Sequence, residues 1–231
     1  MPYVAWKLYC QISLNNTIIN FVSATYQSTL TLSAIMEIPD FDAPAPKVQS
    51  PSELAHIVLR TTSLKPMEEF YVTFLGGKVV HKNNMLSFIT YDEEHHRIAL
   101  IALPSIGPKA SASCGLEHIA FTFPTLSDLM LAYRQRKARG ISPIWCVNHG
   151  PTTSVYYKDP DGNVLETQVD NFDTPDDANA FMATDAFAEN PIGVDFDPED
   201  LIRRIRAGED DSVLKRRKEI GPRGPPDLDS V

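Results

Sequence analysis

Cysteine is scarce in this chain: three in 231 residues, Cys10, Cys114 and Cys146, an odd count without metal-type spacing. That excludes a disulfide framework or a zinc knuckle and suits a reducing compartment. Cations are also outnumbered, 21 Lys and Arg against 30 Asp and Glu, for a formal net charge of -9. Without clustered positive charge, neither nucleic acid nor an anionic membrane surface is expected as the main partner, and a small molecule is the default. No run of about 18 apolar residues occurs anywhere. The N-terminal stretch carries Lys7 as its sole early cation and no compact apolar core before a small-residue cleavage site. The expectation is a cytoplasmic protein with no membrane span. What is present, 43% hydrophobic and 22% charged residues, is ordinary for a globular chain with a proper core.

Residues 1–37 alternate Ser, Thr and Asn with apolar residues, as in Thr17 to Ser23, which predicts strands. Pro39, Pro44, Pro46 and Pro51 then read as a linker, so residues 1–51 form an N-terminal extension. From Leu54 a strand carrying His56 leads to a helix entered at Ser63-Leu64-Lys65-Pro66, running over Met67 to Leu75 and stopped at Gly76-Gly77. Strands are predicted over Lys78–His81, Met85–Tyr91 and His96–Leu103, giving the order βαβββ. After Gly107-Pro108 that order begins again. A strand around His118 precedes a helix over Leu126–Arg139, and strands follow over Pro143–Val147, Ser154–Lys158 and Val164–Val169. Asp159-Pro160-Asp161-Gly162-Asn163 is a strong turn before the last of them. The modules are 52–107 and 115–170, one domain over 52–170, because a repeated supersecondary unit needs its neighbour to bury a shared face. Beyond Asp170, residues 176–188 and 198–206 read as helices, and the Gly/Pro-rich end reads as disordered, so 171–231 is a helical and partly disordered tail.

Three strands carry the residues of chemical interest. Gly115 to Phe121 puts His118 inside an apolar run, Leu54 to Leu59 does the same with His56, and Gly162 to Thr167 holds Glu166. Singly, a strand histidine is a hydrogen-bonded core residue and a strand-end glutamate is solvated. Set side by side in one curved sheet, the three would make the two-histidine, one-carboxylate face that binds ferrous iron and leaves coordination positions open.

The paired modules, the histidine on the first strand of each, and Asp-Pro-Asp-Gly-Asn-Val-Leu-Glu from Asp159 to Glu166 resemble the vicinal oxygen chelate superfamily over residues 52–170. Phe70-Tyr71, Leu75-Gly76, the run Tyr91 to Leu100 and His149-Gly150-Pro151 look like its type I extradiol ring-cleaving dioxygenases. The resemblance implies an α+β fold in which the βαβββ modules form one eight-stranded, open-barrel-like sheet. It implies Fe(II) held by His56, His118 and Glu166, with His96 as acid-base residue and His149 and Tyr157 as further hydrogen-bonding groups of the pocket. His95 and His96 are adjacent and would point to opposite faces of a strand, and Tyr156 and Tyr157 pose the same choice. The implied reaction opens the ring of a small aromatic diol with O₂, in a protein compatible with a homo-oligomer. Bacterial enzymes of this type commonly carry a second, non-catalytic pair of modules, for which this chain has no room. The alternatives are a glyoxalase-like, metal-dependent isomerase or transferase, and a binding module without metal.

Overall fold

A computed structural model describes residues 38–110, 113–226 and 228. The strands expected over residues 1–37 lie outside the described residues. The chain divides into two compact units, Met1–Ser50 and Pro51–Val231. In the first, residues 38–50 form exposed turns and bends.

The second unit runs β1 (Ile57–Thr61), α1 (Leu64–Leu75), β2 (Lys78–Lys82), β3 (Leu86–Thr90), β4 (Ile98–Ala102), then β5 (His118–Thr122), α2 (Leu126–Lys137), β6 (Trp145–Asn148), β7 (Thr152–Lys158) and β8 (Val164–Asp170). The two βαβββ modules are therefore present, as expected. Each helix has a local stop or start. Gly76 ends α1 at φ 63°, a left-handed conformation that costs glycine little, and the Thr125 side chain caps α2 by accepting from Asp128 N at 3.0 Å.

The strands lie in two mixed sheets, ordered β1-β4-β3-β2 and β5-β8-β7-β6-β9. In each, the first strand pairs in parallel with the last strand of its own module, Ile57 against Ile98 and His118 against Val164. The ninth strand, β9 (Val194–Asp195), was not expected; it comes from the tail and pairs antiparallel with β6. Two residues are too few to show a period in sequence.

One apolar core joins the modules. Met67, Tyr71 and Phe74 of α1 and Leu126, Leu129 and Met130 of α2 pack on Ile89, Ile98, Val155, Tyr157 and Leu165 of the strands. Phe74 meets Phe121 and Tyr157 edge-on at ring-centroid distances of 6.2 and 5.1 Å. Burying a side chain of that size stabilises the fold by roughly 1.5–3 kcal/mol. A buried polar link crosses the same junction: Tyr71 Oη donates to Asp159 Oδ2 at 3.0 Å. Asp159 also organises the predicted turn, its Oδ1 accepting from Asp161 N at 3.0 Å and Asn163 N at 2.8 Å.

The tail is packed. The single helix expected over 176–188 is two, α3 (Pro175–Met182) and α4 (Asp185–Glu189), because Thr184 interrupts it and caps the second. Then come β9, α5 (Pro198–Arg206) and α6 (Asp211–Leu214). Leu201 and Ile202 of α5 enter the main core, and Glu199 at its start receives Tyr133 Oη at 2.8 Å, Arg134 Nη1 at 2.7 Å and Lys137 Nζ at 2.7 Å from α2. The Gly/Pro-rich end holds Arg223, which donates to Asp195 Oδ2 at 2.8 Å. Among the described residues no helix is long and apolar enough to cross a membrane.

Candidate active site

Period-two alternation decides what each strand of the second sheet offers. Along β7, Val155 and Tyr157 enter the core beneath the helices, whereas Tyr156 belongs to a second cluster with Val147 and Val164. Along β8, Leu165 joins the helix-side core and Val164 the second cluster, so Glu166, two residues on from Val164, shares its face. Tyr156 stands directly opposite Glu166 in the β7–β8 register.

His118 opens β5, and its Nε2 lies 3.0 Å from Glu166 Oε2. The His118 side chain is 35% exposed and that of Glu166 6%, so the pair is reached from the histidine side. Burial alone would raise the Glu166 carboxyl, but hydrogen bonds from His118 and Ser154 outweigh it and hold the group below the usual carboxylate range. The same hydrogen bond to Glu166 raises the His118 imidazole above its ordinary value against the opposing effect of burial.

Around this pair stand Tyr156, Trp145 and His149. The Tyr156 ring stacks on Trp145 at 4.9 Å and meets His118 edge-on at 5.6 Å. Its hydroxyl lies 3.0 Å from His149 Nε2 and within hydrogen-bonding reach of Glu166. Burial pushes that phenol far above its ordinary value, so it stays protonated and can donate. Burial lowers the His149 imidazole, favouring the neutral ring.

The sequence-derived residues thus fall into two groups. His118, Glu166 and His149 come together on the second sheet. His56 lies just before β1, exposed, with its ring tilted against that of His96 at 4.4 Å; His96, 9% exposed, stacks on Phe88 at 4.6 Å. His95 lies on the other flank of His96 and is paired with Glu94, so of the two adjacent histidines it is His96 that turns inward. Tyr157 is corrected: it is fully buried on the helix side, where its ring lies 5.3 Å from the Arg136 guanidinium, and Tyr156 takes the place expected for it. An odd step along β7 reverses the face, and Glu166 opposite Tyr156 fixes which step is odd. Trp145 and Ser154 were missed as site residues; both sat in predicted strands, and only pairing across the sheet puts them beside Tyr156 and Glu166.

The donor chemistry of His118 and Glu166, one imidazole nitrogen and one carboxylate oxygen converging on one point, fits a first-row divalent ion. The fit is partial: among the described residues no three His, Cys, Asp or Glu side chains form a group that could hold a metal ion. A cleft of about 1280 Å³ is lined by Val58 and Arg60 of β1 together with Glu117, Asn163, Val164 and Leu228. His118, Glu166, Tyr156 and His149 do not line it; Glu117, which does, precedes His118 in the chain, and Val164 lies opposite His118 in the β5–β8 pair.

Residues 53–167 match the model of the Glyoxalase/Bleomycin resistance protein/Dioxygenase superfamily. The chain is 45% identical over 157 residues to a Rhodococcus globerulus protein named biphenyl-2,3-diol 1,2-dioxygenase 2, covering 68% of this chain and 83% of that one. It is also 45% identical over 166 residues to the same organism's biphenyl-2,3-diol 1,2-dioxygenase 3, covering 71% of this chain and 87% of that one. Paired βαβββ modules, the matched residues and this identity over most of two relatives' lengths together make the chain a member of the glyoxalase/bleomycin resistance protein/dioxygenase superfamily.

Proposed function

We propose that this chain is an extradiol-type dioxygenase that opens the ring of an aromatic vicinal diol with O₂, biphenyl-2,3-diol being the first substrate to test. The observation that carries the reading is the His118–Glu166 pair at 3.0 Å beside Tyr156 and His149, in a chain 45% identical to relatives named as biphenyl-2,3-diol dioxygenases. His118 and Glu166 would hold the metal, with His56 as the third ligand on the family pattern. When bound, a divalent ion such as Fe(II) supplies positive charge and open positions at which a diol and O₂ can meet.

The chain's own groups do the rest. The Trp145 and Tyr156 rings, stacked at 4.9 Å, give a flat apolar wall on which an aromatic ring can lie. Tyr156 Oη, protonated and donating to His149 Nε2 at 3.0 Å, can accept from a diol hydroxyl and relay its own proton to the neutral His149 ring. His96, lowered by burial and by its histidine neighbours, is also neutral and able to accept a proton, the role the family pattern gives it.

The test is metal loading under anaerobic conditions followed by a panel of substituted catechols under ¹⁸O₂. The expected result is one O₂ consumed per diol and both labelled atoms in a ring-opened product. His118→Ala and Glu166→Ala should each lose metal and turnover together while the fold persists, and His56→Ala should do the same, because two donors alone make a weak site. Conversion of a hemithioacetal without O₂ uptake would replace this reading with a glyoxalase-like isomerase. Tight binding of aromatics by the metal-free chain with no turnover would leave a binding module.

A further inference from the structure

The tail that lies outside the module repeat meets the second module at the β6–β7 turn, which carries His149. The Ile192 carbonyl oxygen is 2.6 Å from His149 Nδ1. A carbonyl can only accept, so the hydrogen of that bond sits on Nδ1. Next to it, Gly193 has φ 101°, and a Cβ at that position would stand 2.2 Å from Asn148 O and 2.7 Å from His149 Cα. Only glycine lets the tail backbone come this close to the turn.

Arg217 closes the arrangement from further along the tail. It is 8% exposed, and its Nη1 donates to Asn190 O at 2.6 Å and His149 O at 3.2 Å, while Nη2 donates to Ala186 O at 3.0 Å. Asn190 in turn locks the Gly193 turn, accepting from Gly193 N at 2.8 Å and donating to Gly193 O at 3.1 Å. Asn148, beside the histidine, donates from Nδ2 to Lys215 O at 2.8 Å. A single guanidinium therefore ties the residue that bears the histidine to the segment that presents the Ile192 carbonyl. With the proton on Nδ1, a neutral His149 has its free lone pair on Nε2, and that atom faces the Tyr156 hydroxyl at 3.0 Å.

We propose that the C-terminal extension, through the Ile192 carbonyl and the Arg217 guanidinium, fixes His149 as its Nδ1–H tautomer with Nε2 aimed at Tyr156, and that Arg217 is a positioning residue for the site. Its catalytic meaning rests on the dioxygenase reading; its structural content does not. Histidine tautomers and ring orientation are set by whichever partner the far nitrogen has, so the tail decides what the inner nitrogen can do.

The experiment uses the full-length chain with ¹⁵N-labelled histidine, first metal-free and without substrate, and His149→Gln to assign the ring. The wild type should show a protonated Nδ1 and a bare Nε2. Tyr156→Phe, which removes the inner partner, should keep that tautomer, whereas Arg217→Ala should leave a mixture of the two. Arg217→Lys can still donate to the Asn190 and His149 carbonyls and should restore the single form. In the metal-loaded chain turning over biphenyl-2,3-diol, Arg217→Ala should lower kcat by about 10- to 100-fold with little change in KM, and Arg217→Lys should recover most of it.

A protonated Nε2 in the wild type overturns the proposal and needs no variant, so it remains decisive if Arg217→Ala does not fold. Arg217→Ala with an unchanged tautomer and unchanged kcat overturns the part assigned to Arg217. So does a loss of stability and activity together that Arg217→Lys fails to rescue, since that is the mark of a purely structural residue. If the tautomer follows Arg217 as stated but no diol is consumed by the wild type, the dioxygenase reading fails while the positioning holds.

Discussion

Two adjacent tyrosines have opposite fates because β7 is extended. Tyr156 lies across from Glu166 on the inner face, and Tyr157 lies among Phe74, Leu165 and Arg136 in the core. The Tyr157 hydroxyl is buried with no hydrogen-bond partner among the described residues, and the Arg136 guanidinium lies 5.3 Å from the ring centre. Tyr157→Phe should therefore change stability by no more than about 1 kcal/mol and leave turnover intact, since an unmade buried bond is not lost. Tyr156→Phe should keep the fold and lower turnover by about 10²-fold, as removal of a positioned proton donor does. Urea titration and steady-state kinetics on the two single variants check this. The reverse ranking would put the pocket on the other side of the strand. At this scale the sequence named His118, Glu166 and His149 by type and position but left the tyrosine open, because a one-residue difference in phase exchanges the two faces.

Between elements, what joins the modules is a mixture of apolar contact and a few buried polar links. Tyr71 is fully buried on α1, and its hydroxyl reaches Asp159 in the turn before β8. Tyr71→Phe should destabilise the chain by about 1–3 kcal/mol, because it leaves a buried carboxylate oxygen with one bond fewer. The turn itself should survive, since Asp159 keeps its bonds to Asp161 and Asn163. Differential scanning calorimetry beside the wild type measures it, and an unchanged midpoint would show that the link does not couple the modules.

The junction of α5 with α2 carries a pH signature. Lys137 and Tyr133 donate to Glu199, with Arg134 beside them, and together they lower its carboxyl from 4.5 to about 2. A folded-state pKa below the unfolded one gives stability that is present above pH 4.5 and is lost as the pH falls toward about 2. Glu199→Gln should accordingly be less stable than wild type at neutral pH, with the difference shrinking across that acid window. Exposure and salt keep the effect modest. A difference independent of pH would mean that the ion cluster contributes nothing through its charge. The acidic start and basic end of α5 were readable as helix signals, but its partner on α2 lies more than sixty residues earlier, and no local pattern announces it.

Over the whole molecule, the tail is the part that sequence reading undervalued. It adds β9 to the second sheet, places Leu201 and Ile202 in the main core and buries Arg217 behind His149. A chain ending at Asp170 should therefore lose cooperative unfolding or fail to stay in solution, because it would expose the core that α5 covers and leave the β6 edge unpaired. Thermal unfolding of that truncation, compared with the full chain, decides it; a sharp transition at the wild-type temperature would make the tail dispensable to the fold. What the sequence by itself determined is the repeated βαβββ order, the helix stops, the Asp159 turn and the strands bearing His118 and Glu166. Each of these rests on local propensity or on the spacing of apolar residues, which a linear chain displays. Only the tertiary structure decided that Tyr156 rather than Tyr157 faces inward, that the His56 ring lies against His96 while His118 pairs with Glu166, and that Ile192 and Arg217 hold His149. Those outcomes depend on register across strands and on contacts between residues far apart in the chain, where the energies are set by packing and hydrogen bonding and not by neighbours in sequence.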